Sequence, residues 1–311
     1  MLAVVGPGAV GGLLAALALR SGQSVVAVAR PATAERIAKN GLAIRSVQHG
    51  EFHTPVPVSL QIPSGADVIL SVKSFGLRDV LPLIADAHPT SVLAVLNGIE
   101  HGDILRKTLS AVPVACASIT VEVSQLCFGV IEHRSSFSKI TVPDFAASWR
   151  SVGSLQKAGI EVAYGGTEAE VLWHKFRFLV PVALLTTYYE DSLGAALARD
   201  GQCTRDILSE VAAVATAEGI TTDPEELTSI LTSFPSQMRS SLQHDLEAKG
   251  ASELDVVGGA VLRRAARHGI AVPRLECIVG DLTARFHTHE PRFSAEKMDA
   301  KLSDDGCSIG P

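Results

Sequence analysis

The feature that most constrains this sequence is a glycine-rich loop, Gly6-Pro7-Gly8-Ala9-Val10-Gly11, between an apolar run and a segment rich in alanine and leucine. Residues 2–5 have the composition of a buried strand, and residues 8–20 have that of a helix. A second apolar run follows at 24–29. Strand, glycine loop, helix and strand within about thirty residues predict a βαβ unit of the Rossmann type.

The positions of the three glycines suit a dinucleotide. Gly6 permits a tight turn, Gly8 lets the backbone approach a pyrophosphate, and Gly11 allows the helix to pack closely. The amino terminus of that helix adds partial positive charge. A glycine-rich turn without function is the alternative, and the strand–helix–strand context disfavours it. The predicted cofactor-binding residues of the loop are Gly6, Pro7, Gly8, Ala9, Val10 and Gly11.

The choice of cofactor depends on Arg30, which ends the second predicted strand. A site for NAD usually has an aspartate or glutamate there, to accept hydrogen bonds from the ribose hydroxyls. A guanidinium instead pairs with a 2′-phosphate, and the first acidic residue after this strand is Glu35. The sequence therefore predicts NADPH, with an ordinary surface arginine as the alternative.

The chain has 311 residues, more than one hydrophobic core usually supports, so two domains are expected. Alternating strand and helix patterns continue to residue 96, and the β-rich segment 115–142 is expected to complete or extend the same sheet. Thr167 and Glu170 have the spacing of a capping box and predict the start of a helix. The later segments with helical patterns are 207–218, 225–232, 238–249, 256–268 and 274–288.

These patterns predict an α/β protein, with an N-terminal Rossmann domain built on a doubly wound parallel sheet and an all-helical C-terminal domain. The predicted domains are 1–165, which binds NADP, and 166–311, which binds substrate and carries the catalytic residues.

Composition and charge exclude several classes of protein. A formal net charge of −6 gives no basic field, so nucleic acid is not an expected partner. The five cysteines are scattered and never form CxxC, which predicts neither disulfides nor a metal site and suits a reducing cytoplasm. No apolar run reaches the roughly 20 residues that span a bilayer, so no membrane segment is expected.

Five features occur in an order that resembles the ketopantoate reductase family: the Gly6 loop, Ser71-Val-Lys-Ser74, Asn97-Gly98, Trp173-His-Lys175 and the stretch 240–273. The resemblance implies reduction of the 2-oxo acid ketopantoate to pantoate by NADPH, a step of pantothenate synthesis, in a cleft between a Rossmann and a helical domain. A homodimer formed through the helical domain is a further hypothesis.

The resemblance also assigns roles to residues. It implies that Lys175 is the general acid and that Glu253 holds both the substrate and this lysine. It further places Ser241 at the substrate carboxylate, Asn97 at the substrate and the nicotinamide ribose, and Lys73 near the cofactor.

The chemistry supports such a lysine independently of the resemblance. Hydride addition to a carbonyl creates an alkoxide, which an ammonium stabilises and then protonates. A nearby carboxylate favours the charged form of the lysine. Without the resemblance, Lys175, His174 and Arg177 would be interpreted as a solvated basic face. Asn97-Gly98 alone would be an ordinary turn.

The sequence departs from the family pattern at two positions. The family carries asparagines four and eight residues after the lysine, where this chain has Leu179 and Ala183. A more apolar 2-oxo acid, or another carbonyl compound, is therefore an alternative substrate. The nearby aromatic residues Phe176, Phe178, Tyr188 and Tyr189 would suit such a substrate or would simply be core.

Two further alternatives remain open at this stage. Substrate contacts could instead be made by Thr186, Thr187 or His174. A rival from another class is a non-catalytic NADP-binding sensor, for which only the glycine loop matters.

Overall fold

The computed structural model describes residues 1–289, which form two compact units. Among the described residues, the first unit comprises Met1–Leu96 and His101–Val171, and the second comprises Asn97–Glu100 and residues 172–289. The short segment Asn97–Glu100 thus belongs to the second unit, although its neighbours on both sides belong to the first. Within the described residues, no helix is long and apolar enough to cross a bilayer.

The elements up to residue 164 are β1 (Leu2–Val5), α1 (Ala9–Arg20), β2 (Val25–Val28), α2 (Pro31–Asn40), β3 (Leu42–Ser46), β4 (Gly50–Thr54), β5 (Val58–Ser59), β6 (Asp67–Leu70), α3 (Leu77–Ala87), β7 (Ser91–Ala94), α4 (His101–Thr108), β8 (Val114–Cys116), β9 (Ser118–Thr120), β10 (Val123–Cys127), β11 (Val130–His133), β12 (Lys139–Val142), α5 (Arg150–Lys157) and β13 (Glu161–Tyr164). Beyond them lie α6 (Glu168–Tyr189), α7 (Leu193–Arg199), α8 (Gly201–Ala217), α9 (Pro224–Ser233), α10 (Ser241–Glu247), a π-helical turn (Asp255–Gly259), α11 (Ala260–His268) and α12 (Pro273–His289).

Six parallel strands form the central sheet of the first unit, in the order β5-β2-β1-β6-β7-β8. If only these six strands are numbered in the order in which they occur along the chain, the spatial order is 3-2-1-4-5-6, which is that of the Rossmann fold. Every residue of β1, β2, β6 and β7 is buried, which explains why these strands are apolar except for Asp67 and Ser91 at the starts of β6 and β7. The predicted fold class is confirmed. The strand order reverses between β1 and β6, and ligands of such sheets bind at the carboxyl edge of this point.

The prediction that residues 115–142 complete the parallel sheet is wrong for most of that segment. Only β8 joins it, whereas β10 and β11 form a four-stranded sheet with β3 and β4, and β9 and β12 form a three-stranded sheet with β13. The pattern of alternating residues identifies a strand but not its partner, and the partners β3 and β4 were not predicted. The four-stranded sheet packs against α1.

The described part of the second unit contains helices and turns. At the end of the first unit, the capping box forms as predicted, since the Thr167 amide donates to Glu170 Oε2 at 2.7 Å and the Glu170 amide donates to Thr167 Oγ1 at 3.3 Å. Three helical predictions differ in detail. The helix predicted at 207–218 begins already at Gly201, α10 is shorter than 238–249, and the segment 256–268 starts inside a π-helical turn. The short helix α7 was not predicted.

Candidate active site

The glycine loop connects β1 to α1, and its backbone requires glycine at two points. Gly6 has a φ of +85°, and a Cβ there would lie 2.6 Å from Cγ1 of Val72. A Cβ on Gly11 would overlap the carbonyl oxygen of Gly6 and the hydroxyl of Ser71. At Gly8, by contrast, a Cβ would meet nothing within 4 Å, so open space lies beside that backbone.

The start of α1 suits an anion. Gly8 occupies the N-cap position without a side-chain cap, and the first turn carries no acidic residue. The amide groups of such a helix end carry partial positive charge and need an acceptor. Uncapped amides next to the open space at Gly8 therefore fit a pyrophosphate.

Ser71, directly after β6, braces this loop. Its hydroxyl lies 3.1 Å from the carbonyl oxygen of Val5 and 3.0 Å from that of Gly6, and donates to this pair of acceptors. The contact ties the end of β6 to the end of β1 at the point where the strand order reverses. The sequence did not indicate a role for Ser71, because a serine that follows a predicted strand is not by itself evidence of a contact with the glycine loop.

Two predicted cofactor residues lie at the same edge of the sheet as the loop. Arg30 is exposed and follows β2 at the N-cap position of α2. Lys73 is exposed and precedes a short 3-10 turn that follows β6. Because β2 and β6 flank β1 in parallel, their carboxyl ends reach the edge where the glycine loop begins.

In the second unit, hydrogen bonds join three further predicted residues. The ammonium of Lys175 donates to Oδ1 of Asn97 at 3.0 Å, and Nδ2 of Asn97 donates to Oε2 of Glu253 at 3.1 Å. Glu253 is only 5% exposed. One amide thus bridges an amine and a buried carboxylate that come from distant parts of the sequence.

Burial and a neighbouring charge change the pKa of Lys175 in opposite directions. Burial lowers its pKa to about 8, while the carboxylate of Glu253 opposes the shift. An amine with a pKa near 8 is still mostly protonated at neutral pH and gives up its proton readily. A strong pKa shift caused by burial, in a group that also has a specific charged partner, is typical of functional groups.

The neighbours of Lys175 do not form a basic face. His174 is exposed, but Arg177 is buried and pairs with Glu226 at 3.0 Å. The three side chains therefore differ in their surroundings, and Lys175 alone among them contacts Asn97.

Close to Glu253, two backbone segments approach each other closely. Gly98 has a φ of +92°, and a Cβ there would lie 2.9 Å from the carbonyl oxygen of Val256. Val256 lies in the π-helical turn that follows Glu253. Such turns are uncommon and are often found at functional sites. The glycine lets the segment that carries Asn97 pack directly on this turn.

The face of α6 that carries Lys175 continues as an apolar surface. Leu179 is half-buried and Ala183 is buried, four and eight residues further along the helix. Thr186 and Thr187 are fully buried, and their hydroxyls donate to the carbonyl oxygens of Val182 and Ala183. The hypothesis that these threonines contact substrate therefore loses its support.

Ser241 is the exposed first residue of α10. The cap of that helix is provided by Ser240, whose hydroxyl accepts from the Gln243 amide at 3.1 Å and lies 2.7 Å from the hydroxyl of Thr186. Ser241 thus has no capping role. It remains the predicted contact for a substrate carboxylate.

The aromatic residues on α6 pack mainly on one another and on the core. The ring pairs are Trp173 with Phe176, Phe178 with Phe234, and Tyr188 with Tyr189. Among residues 1–289, no group of three His, Cys, Asp or Glu side chains is placed to hold a metal ion. The four cysteines in this range are free, and Cys307 lies outside the described residues.

A Rossmann sheet with a glycine-rich loop after its first strand, together with an amine linked through an asparagine to a buried carboxylate, is typical of nicotinamide-dependent oxidoreductases. Comparison with known families agrees. The family described as "Ketopantoate reductase PanE/ApbA" matches residues 2–147, and its C-terminal counterpart matches residues 169–285. The chain belongs to the ketopantoate reductase family.

Similar proteins span nearly the full length of the chain. An "Uncharacterized oxidoreductase YkpB" of Bacillus subtilis is 28% identical over 299 residues, covering 90% of this chain and 96% of its own. A 2-dehydropantoate 2-reductase of Mycobacterium tuberculosis is 28% identical, covering 91% and 97%. The crystal structure of a PanE/ApbA family ketopantoate reductase from Ralstonia eutropha has a TM-score of 0.84 at 25% identity, covering 93% and 99%.

Membership of this family supports three of the sequence-based predictions. The resemblance to ketopantoate reductases is confirmed. The members of the family are oxidoreductases that act on CH–OH groups, which favours an enzyme over a non-catalytic sensor. The family uses NADPH, as Arg30 suggested.

Proposed function

We propose that the protein reduces a 2-oxo acid to the corresponding 2-hydroxy acid with NADPH, and that ketopantoate is its default substrate. The observation that supports this most directly is the hydrogen-bonded chain from Lys175 through Asn97 to Glu253. We assign residues 1–165 to nucleotide binding and 166–311 to substrate binding and catalysis. With ketopantoate as substrate, the reaction belongs to pantothenate synthesis in the cytoplasm, and we expect the enzyme to be a homodimer.

In this proposal the chain provides binding, orientation and a proton. The hydride would come from the nicotinamide ring of NADPH when it is bound. The glycine loop and Arg30 hold the phosphates, with Lys73 near them, and Ser241 receives the substrate carboxylate. Lys175 donates a hydrogen bond to the carbonyl oxygen, stabilises the negative charge that develops there and transfers its proton. Asn97 orients the ammonium, and Glu253 keeps it charged despite its burial.

The pKa of Lys175 predicts how the reduction depends on pH. A general acid must be protonated, so we expect kcat/KM for the reduction to be constant at neutral pH and to fall tenfold per pH unit above about pH 8. The measurement is the initial rate of NADPH oxidation from pH 6 to pH 10 at low substrate concentration.

Glu253→Gln is the matched variant for this profile. The amide keeps the size of the side chain but removes the charge that raises the pKa of Lys175. We therefore expect the alkaline limb to move to lower pH. A limb that stays in place in this variant would show that a group other than Lys175 controls the rate.

Arg30 is expected to determine the preference for the phosphorylated cofactor. Charge-assisted hydrogen bonds contribute about 1.5–3 kcal/mol, so Arg30→Ala should weaken NADPH binding by roughly 10- to 100-fold. The affinity for NADH should change little. Titration of nucleotide fluorescence gives both constants, with Lys39→Ala, an exposed position on the same helix, as control. Equal losses for both nucleotides would contradict the assignment.

The apolar face at Leu179 and Ala183 favours a second candidate, a 2-oxo acid without a polar side chain. Ketopantoate and 3,3-dimethyl-2-oxobutanoate differ by one hydroxyl group, so they form a matched pair of substrates. Burying a hydroxyl without a partner costs about 1–3 kcal/mol. If Leu179 faces the substrate, kcat/KM should be about tenfold or more higher for the compound without the hydroxyl. A preference for ketopantoate would support the default assignment, and turnover of neither would count against both.

A further inference from the structure

Arg263, on α11, joins two acidic side chains that lie on separate segments. Its Nη2 donates to Oε2 of Glu100 at 2.7 Å, and its Nε lies 3.1 Å from the same oxygen. Its Nη1 donates to Oδ1 of Asp255 at 2.7 Å, and Nη2 also contacts the Asp255 carbonyl oxygen at 3.1 Å. The planar guanidinium thus donates hydrogen bonds to both Glu100 and Asp255. These bonds fix its orientation more strictly than a single ion pair would.

The two segments joined in this way are those that carry Asn97 and Glu253. Glu100 lies three residues after Asn97, and Asp255 lies two residues after Glu253. All of these residues belong to the second unit. The Asn97–Glu253 hydrogen bond and the Arg263 contacts therefore connect the same two pieces of backbone.

The local backbone accommodates Arg263. Gly259 closes the π-helical turn, and a Cβ there would lie 3.0 Å from Nη1 of Arg263 and would overlap the carboxylate of Asp255. Gly98 provides a second contact between the same segments, through its close approach to Val256. The two glycines thus let the two segments and the guanidinium meet.

Overall stability explains at most part of this arrangement. The side chain of Arg263 is 45% exposed and that of Asp255 is 79% exposed, so this ion pair contributes little to the free energy of unfolding. The pair with Glu100, which is 26% exposed, contributes more. Their geometry can still matter, because a displacement of about 1 Å at a reacting group can cost roughly 100-fold in rate.

We propose that Arg263 is a positioning residue that, by holding Glu100 and Asp255, fixes the distance between Asn97 and Glu253 and so orients the amine of Lys175. This inference rests on the proposed role of Lys175 in the reduction. Arg263 itself acts only through these neighbours.

The test compares Arg263→Met with Arg264→Met. Arg264 is the next residue on α11 and pairs with Glu218 at 3.4 Å, outside the Asn97–Glu253 contact. For each full-length variant, kcat, KM and NADPH affinity are measured, together with the thermal midpoint. We expect kcat of Arg263→Met to fall by about 10- to 100-fold. Its NADPH affinity should be close to that of Arg264→Met. That control should keep its kcat, although the loss of its more buried ion pair with Glu218 should lower its thermal midpoint further.

Two additional variants separate positioning from folding. Glu100→Gln keeps the shape of the acceptor but removes its charge, so we expect a smaller loss of kcat. In the double variant of Glu100→Gln with Arg263→Met, the loss should be no larger than in Arg263→Met alone, because both changes break one interaction. Additive losses would overturn the proposal, as would a loss of kcat matched by Arg264→Met.

A measurement that requires no enzymatic turnover tests this inference separately from the proposed function. The amine of Lys175 is labelled with trace acetic anhydride at several pH values, and its peptide is quantified by mass spectrometry. In Arg263→Met, we expect the pKa of Lys175 to fall, because burial persists while Glu253 is no longer held nearby. An unchanged or raised pKa would overturn the proposal. Absence of turnover in the unmodified protein would instead refute the reductase function and leave this measurement valid.

Discussion

Lys175→Met is expected to reduce kcat for 2-oxo acid reduction by about 10²- to 10⁴-fold, the usual contribution of a general acid. Methionine keeps much of the length of the side chain but has neither charge nor proton to give. Both the stabilisation of the developing alkoxide and its protonation should therefore be lost. Single-turnover oxidation of bound NADPH measures the chemical step directly. NADPH affinity should stay within about twofold, because the glycine loop and Arg30 are untouched.

His174→Ala is the matched control for Lys175→Met. His174 is adjacent in sequence and exposed, and its removal should leave the fold of α6 intact. We expect nearly normal kcat in this variant. The reductase mechanism would be refuted if Lys175→Met retained full activity. A large loss in His174→Ala would instead move the substrate contacts to that side chain.

The second large effect is expected for Gly11→Ala. The added methyl group would overlap the carbonyl oxygen of Gly6 and the hydroxyl of Ser71, so the loop and α1 would have to move apart. Overpacking of this kind costs about 1–3 kcal/mol of stability. It also displaces the amides that hold the pyrophosphate, so we expect NADPH binding to weaken by more than about 100-fold. Isothermal titration and urea unfolding measure the two effects.

Gly8→Ala separates these two consequences. A Cβ at Gly8 meets nothing within 4 Å, so the stability of the protein without nucleotide should hardly change. The same methyl group would occupy the open space beside the backbone, and NADPH affinity should therefore fall. If Gly8→Ala bound NADPH normally, the pyrophosphate would have to lie elsewhere.

Local sequence patterns predicted the glycine-rich turn between β1 and α1 and the parallel sheet, because both depend on short segments. The strand before Gly6 is buried on both faces and shows this in its composition. The capping box at Thr167 likewise involves residues only three positions apart. The partners of β10 and β11 could not be predicted, because alternation along a strand carries no information about which strand lies beside it.

The contacts among Lys175, Asn97 and Glu253 could be expected only from the resemblance to the ketopantoate reductase family. Lys175, Asn97 and Glu253 lie in distant parts of the sequence, and each has an ordinary alternative interpretation. The contacts of Ser71 and Arg263 were missed for a related reason. Serine after a strand and arginine on an amphipathic helix are common, and only three-dimensional contacts distinguish these two from others of their kind.

The grouping of Asn97–Glu100 with the second unit has a consequence for exchanging parts between related enzymes. A chimera made with a single crossover near residue 165 would take its Asn97 and Glu100 from one parent and their partners Lys175, Glu253 and Arg263 from the other. Such a hybrid would keep the helices and strands of both parents, but the hydrogen-bonded residues around Lys175 would come from two different parents. Transferring residues 97–100 together with the helical part should give a hybrid in which these contacts come from one parent.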